Sequence, residues 1–296
     1  MFKHLLVPLD GSRMAESALP IAARLSGQAA ATLTLVHVIE KNAPKAIHSE
    51  RHLVTAEEAS AYLAEVAQRP VLKGLRVRTH VHEAEVRDVA LSITQHSEEL
   101  APDLVVMSTH GRAGARRLIF GAIAQQVIGL GVTPVLLVQQ PAELGTWRTI
   151  LAPIDGNPAH EKGLPIAAEL AAAFSCLLHL LMVTPHMGEL TGSQGAASIL
   201  LPGATRIKLE IDSDAAREYL AARAGELRST GIETGTEASR GDPARAIVRT
   251  ARKLSADIIV MGTHGRAGTD AFWQGSVAAR VIARARAPLL LVPLRA

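Results

Sequence analysis

Two segments of the sequence, MSTHGRAGARRLIFGAIAQQV and MGTHGRAGTDAFWQGSVAARV, repeat one pattern of glycines and hydroxyls whose spacing suits an anion. In the second, two residues separate Gly262 from Gly265, nine more follow, and Gly275 and Ser276 open an apolar run. Glycines let the backbone approach a ligand closely and adopt positive φ. The first amides of a helix have no partner inside it and point donors at an anion that the helix dipole also favours. The Ser276 hydroxyl has two uses, as a cap on its own helix or as a partner for a phosphate oxygen. The first segment keeps Gly111 and Gly121 but has Ser108 in place of Gly262 and Ala122 in place of Ser276. Losing that hydroxyl leaves the amides, so it weakens a phosphate site by about 1–2 kcal/mol without abolishing it. On the residues alone, a phosphate cradle and a plain structural turn both account for such a loop.

Other chemistries lack their residues. A P-loop needs Lys and then Ser or Thr after its second glycine, and a dinucleotide fingerprint needs G-x-G-x-x-G directly after a strand. Neither occurs, and there is no G-x-S-x-G elbow or recognisable catalytic triad. His110 and His264 each lie between Thr and Gly inside the loops, a setting that suits backbone positioning better than catalysis. His80 and His82 alternate on a strand pattern and His48 and His52 stand one helical turn apart, but two ligands without a third make no metal site. Asp242 before Pro243 reads as a helix start, and Arg116 and Arg117 read as a solvated helical turn. Asp270 takes the place of Arg116 in the second segment, far from both ends of the pattern.

The elements that position these loops are themselves written twice. LLVPLDGSRMAESALPIAARLSG aligns with ILAPIDGNPAHEKGLPIAAELAA, placing Asp10 on Asp155 at an offset of 145; PDLVVMSTHGRAG aligns with ADIIVMGTHGRAG at an offset of 154, so the second copy has gained nine residues between these blocks. The gain falls in TPHMGELTGSQGAASILLPGATR, a Gly-rich stretch that reads as an extended loop. Within each copy, short Val/Ile/Leu runs alternate with longer segments of helical period, the pattern of βαβ units and a parallel sheet. Strands are expected near 3–9, 32–39, 75–81, 103–108 and 134–138, and near 149–154, 176–183, 232–238, 257–262 and 288–292. Helices are expected in the first copy at about 13–26, 55–69, 86–100 and 121–131. The result is an α/β protein of two tandem doubly wound five-stranded parallel-sheet domains, over 1–141 and 147–296. Such sheets bind ligands beyond the strand ends where the winding reverses. That rule brings Asp155 and Gly262 together at one crevice.

This composite of Asp after the first strand, then G-x-x-G, nine residues and G-[ST] after the fourth resembles the universal stress protein family over nearly the whole chain. The resemblance implies an adenine nucleotide alpha hydrolase-like fold and ATP, with or without Mg, in the crevice. It also implies Asp155 and the backbone near Val183 at the adenosine, and Gly262, Gly265, Gly275 and Ser276 at the ribose and phosphates. In the first copy Asp10, Val38, Gly111 and Gly121 match and form a weaker site. The function implied is regulatory, through nucleotide occupancy in the second domain, with no catalytic residue. Two alternatives stay open: a nucleotide-independent interaction module and a slow ATPase.

Composition narrows the partners. An aromatic share of 3% and a net charge of +3 spread along the chain argue against nucleic acid. No run reaches the ~18 apolar residues of a membrane span, and the five-residue apolar run before Asp10 is too short for a signal peptide; the expected location is cytoplasmic. Cys176, the single cysteine, lies in an apolar run as an inert thiol. The apolar PVLLV and PLLLV edges are expected to pair with each other inside the chain, and the resemblance leaves a homodimer open.

Overall fold

A computed structural model describes residues 1–41, 46–47, 50–51, 53–109, 122–139, 145–190, 192–263 and 276–294. The first repeat supplies β1 (His4–Pro8), β2 (Thr32–Glu40), β3 (Arg76–Val86), β4 (Leu104–Ser108) and β5 (Val135–Val138). The second supplies β6 (Thr149–Ile154), β7 (Leu177–Thr184), β8 (Thr234–Arg240), β9 (Ile258–Thr263) and β10 (Leu289–Pro293). The helices are α1 (Arg13–Glu16), α2 (Leu19–Ala29), α3 (Ala56–Ala67), α4 (Val89–Leu100), α5 (Ala122–Leu130), α6 (Gly163–Phe174), α7 (Gly192–Leu200), α8 (Pro202–Ser229), α9 (Pro243–Lys253) and α10 (Val277–Ile282).

The described residues form two compact units, one of Met1–Thr146 with Thr263 and 288–294, the other of Trp147–Gly262 with 276–287. In the first unit the order β3-β2-β1-β4-β5 is parallel throughout. Its edge is completed by β10, which runs antiparallel to β5 and sets Leu289, Leu290 and Leu291 opposite Leu137, Leu136 and Val135. The two apolar last strands therefore do meet. In the second unit β8, β7, β6 and β9 follow the same parallel order. Both β1 and β6 are buried and have a strand on each side, which explains why they are continuous apolar runs instead of alternating ones.

The duplication extends to details no apolar pattern reveals. Asp103 Oδ2 accepts from the Lys3 and His4 amides at 2.6 and 2.9 Å, and Asp257 Oδ2 accepts from the Arg148 and Thr149 amides at 2.7 and 2.9 Å. In each repeat, one carboxylate thus pins the start of the first strand beside the fourth. Glu16 accepts from Tyr62 and Arg69, and its counterpart Glu161 accepts from Tyr219 at 2.6 Å and pairs with Arg223.

Three expectations need correction. The helix expected over 13–26 is two helices, because Pro20 has no N–H to donate and fits the first turn of a new helix. The segment read as an extended loop is largely helical, forming α7 and the start of α8. Its Ala, Ser, Leu and Ile residues outweigh the helical Gly195 and Gly203, and Pro202 sits at the first position of α8, where its missing N–H costs nothing. Strand β3 also runs five residues past its expected end, pairing with β2 as far as Val86 opposite Glu40. Among the described residues no helix is long and apolar enough to cross a membrane.

Candidate functional site

The winding reverses at β1 in the first repeat and at β6 in the second, since each pairs with the second strand on one side and the fourth on the other. Asp155 follows β6 directly and Gly262 lies near the end of β9, so the expected pair stands at the carboxyl ends of adjacent strands. The chain turns there through Gly156 at φ +79°, where a Cβ would come within 2.7 Å of Met182 Cε. Helix α6 then returns close to β9: a Cβ on its first residue, Gly163, would lie 3.5 Å from the Met261 carbonyl carbon and 3.6 Å from the Gly262 amide. Val183, on β7, is partly exposed opposite Ser239.

The Asp155 carboxylate is engaged on both oxygens. Its Oδ1 accepts from the Asn157 amide at 3.0 Å, and its Oδ2 accepts from His160 Nδ1 at 2.5 Å. With that tautomer, His160 Nε2 accepts from Asn157 Nδ2 at 3.2 Å, so every ring nitrogen has a role. His160 was not among the residues picked out in the sequence. The aligned position in the first repeat is Ala15, and a histidine gained at one copy of a repeat was the available signal.

Ser276 is the N-cap of α10, its Oγ accepting from the Ala279 amide at 3.0 Å. This is the capping use of the hydroxyl. A hydroxyl that accepts still has its proton to donate, so the cap leaves Ser276 able to bind an oxyanion. Gly265, Gly275, His264 and Asp270 lie outside the described residues.

In the first repeat Asp10 accepts on Oδ1 from the Ser12 amide at 2.9 Å and from Ser12 Oγ at 2.6 Å. Beside it lies a cavity of about 120 Å³ with an apolar wall of Val36, Val38, Ile93 and Met107, and with Asp10 and Ser108 at its polar side. Sequence reasoning passed over another lining residue, His37, which is buried with Nδ1 2.7 Å from the Leu9 carbonyl. A carbonyl can only accept, which fixes the ring proton on Nδ1. Gly111, Gly121, His110, Arg116 and Arg117 lie outside the described residues, as do His48 and His52.

Residues set aside as structural are placed as follows. Asp242 caps α9 by accepting from the Arg245 amide at 2.8 Å, with Pro243 at the first helical position. Burial pushes its carboxyl upward, but the Arg245 amide and the Arg280 guanidinium outweigh this and hold it below the ordinary carboxylate range. His80 does have a neighbour: its Nε2 is 2.9 Å from Nε2 of the buried His96, whose Nδ1 lies 2.9 Å from the Ser92 carbonyl, and His82 stacks edge-on against His96. Among the described residues no group of three or more His, Cys, Asp or Glu is arranged to hold a metal ion. Cys176 is buried.

The strand-end aspartate that both repeats place where the winding reverses agrees with what comparison with known proteins finds. The chain is 26% identical over 301 residues to a universal stress protein of Mycolicibacterium smegmatis, covering 97% of this chain and 96% of that one. It is 32% identical over 150 residues to a universal stress protein of Methanocaldococcus jannaschii, covering 49% of this chain and 82% of the relative. The crystal structure of a universal stress protein from Archaeoglobus fulgidus superposes with a TM-score of 0.70 at 17% identity, over 98% of this chain and 96% of that one, and so shares the fold. The model of the universal stress protein family matches twice, at residues 1–139 and 146–293. The chain belongs to the universal stress protein family.

Proposed function

We propose that this protein is a nucleotide-occupancy regulator of the stress response, holding ATP in its second repeat and a weaker or adenosine-limited ligand in its first. The observation that carries this reading is the placement of Asp155 and Gly262 at the carboxyl ends of the paired strands β6 and β9, where the sheet reverses its winding. Asp155 would accept from the ribose, and the backbone near Val183 would face the base. Gly262, Gly265, Gly275 and the Ser276 hydroxyl would receive the ribose and phosphates. Mg, carried by the phosphates, needs no carboxylate cluster of the protein's own.

A specific observation supports a second, lesser site. The first-repeat cavity joins an apolar wall, suited to a purine face, to the Asp10 carboxylate, suited to a sugar hydroxyl. Ala122, in place of a hydroxyl, removes one phosphate partner there.

Nothing in this reading supplies a base for hydrolysis. Asp155 belongs at the adenosine end, so bound ATP should turn over well below the ~1 s⁻¹ lower end of typical enzymes. Native mass spectrometry of the freshly purified full chain tests the reading. A co-purified adenine nucleotide is expected as a discrete added mass; a chain that carries none and gains none from added ATP would favour a nucleotide-independent interaction module instead.

A further inference from the structure

One face of the two repeats differs sharply in charge. At the offset of 154, α9 falls on α4 and the α10 segment on α5, so that Leu91, Gln95, Glu98, Glu99, Leu130 and Val132 of the first repeat become Arg245, Arg249, Arg252, Lys253, Arg284 and Arg286 of the second. Matched positions that hold two acids and no cation in one repeat thus hold cations alone in the other. Helix α9 buries Ala244, Ile247, Val248 and Ala251, and this spacing turns Arg245, Arg249 and Arg252 outward as one stripe about 10 Å long. Two contacts hold the α10 segment beside it: Arg280 pairs with Asp242 at the start of α9, and the Arg252 guanidinium donates to the Arg284 carbonyl at 3.3 Å near its end. Arg284 and Arg286, both exposed, continue the basic surface beyond the stripe. The carboxylates beside α9, Asp242 and Glu237, are already paired with Arg280 and Lys253, and among the described residues no carboxylate lies within ion-pair distance of Arg245, Arg249, Arg252, Arg284 or Arg286.

What this face holds and what it lacks select the partner. Arginines without carboxylate partners suit phosphate oxygens, which the guanidinium fork grips through two hydrogen bonds at once. Among the described residues of α9 and α10 no large apolar or aromatic side chain is exposed. The face therefore has neither the apolar centre of a protein–protein contact nor the apolar side chains that a helix sinks into lipid. It also lacks rings on which unpaired bases could stack, so a single strand gains little there. Phosphates displayed along a duplex, held by charge alone, fit such a surface. Spread along the sequence, these charges argue against a nucleic-acid partner; the fold gathers them, bringing together Arg252 and Arg284 from 32 residues apart. We propose that the α9–α10 face of the second repeat binds the phosphate backbone of double-stranded nucleic acid without reading its base sequence. The first repeat, with Glu98 and Glu99 at the matching positions, takes no part.

Fluorescence anisotropy of the full chain with labelled DNA and RNA duplexes of about 20 base pairs tests this. At about 50 mM salt the parent should bind duplexes of unrelated sequence equally, with a dissociation constant of about 10⁻⁵ M or below, and the logarithm of its affinity should fall with that of salt at a slope of about −4, as expected for five phosphate contacts. Arg249→Gln/Arg252→Gln should weaken binding about tenfold or more and make the slope shallower by about 2, while Arg249→Lys/Arg252→Lys should keep the parent's slope. Lys73→Gln/Arg78→Gln, at exposed positions of the first repeat, removes the same net charge and should leave binding near the parent's. A parent that binds neither duplex overturns the inference, as does equal weakening by the two glutamine pairs. Binding to phosphatidylserine vesicles but to neither duplex would overturn it in favour of a lipid surface. Displacement of a bound duplex by poly-glutamate as readily as by unlabelled duplex of equal charge would overturn it in favour of an acidic protein segment.

Discussion

His160 donates from Nδ1 to Oδ2 of Asp155 at 2.5 Å, an engagement that the first repeat, with Ala15 at the matching position, does not reproduce. The carboxylate proposed to meet the ribose in the second repeat therefore holds an imidazole before any ligand arrives. A ribose hydroxyl that binds this carboxylate shares it with the imidazole or displaces it.

Removing this competitor should help the ligand. His160→Ala is expected to tighten ATP binding roughly threefold to tenfold, the worth of one competing hydrogen bond, as read by calorimetric titration. Weaker binding would mean that the imidazole holds Asp155 in its binding geometry, and the competition argued above would be wrong.

The histidine cluster of the first repeat should make stability depend on pH. Burial first, and then His96 and His82, hold the His80 imidazole below its ordinary value of 6.5, with Glu99 opposing. The unfolded chain thus takes up this proton at a higher pH than the folded one. Stability is complete above 6.5 and falls as pH drops below it until the folded group also titrates. Urea midpoints measured on either side of pH 6.5 should show this fall, and His80→Gln should flatten it. An identical slope in the variant would assign the dependence to other groups.

The β5–β10 ladder makes a local prediction. Leu137 is fully buried opposite Leu289, so Leu137→Lys places an unpaired charge in the sheet and should cost about 3 kcal/mol or more. Hydrogen exchange should show lost protection at the amides of 289–292 while β1 keeps its own. Unchanged protection there would mean that the ladder does not form in solution.

How far the site was legible in the sequence depended on the kind of residue. Strand order and the Asp155–Gly262 placement were readable because apolar runs, turn glycines and the reversal rule act through backbone geometry, and the repeat states each of them twice. His160 and His37 were not, because nothing in periodicity says which way a turn histidine aims or which strand residue lines a cavity. Asp103 and Asp257 escaped notice as the ordinary acids of PDLVV and ADIIV, since the amides they hold are about a hundred residues away in sequence. The α7–α8 segment was misread because its glycines suggested a loop, while the helix-forming residues between them and the start signal at Pro202 prevailed.

The claim that the second repeat is the principal nucleotide site is tested most directly by calorimetric titration of ATP into the parent, Gly275→Val and Gly121→Val. A valine at Gly275 should remove most of the binding, because its branched side chain would stand in the phosphate approach, and the same change at Gly121 should alter it little. Equal losses in the two variants, or a greater loss at Gly121, would contradict the account.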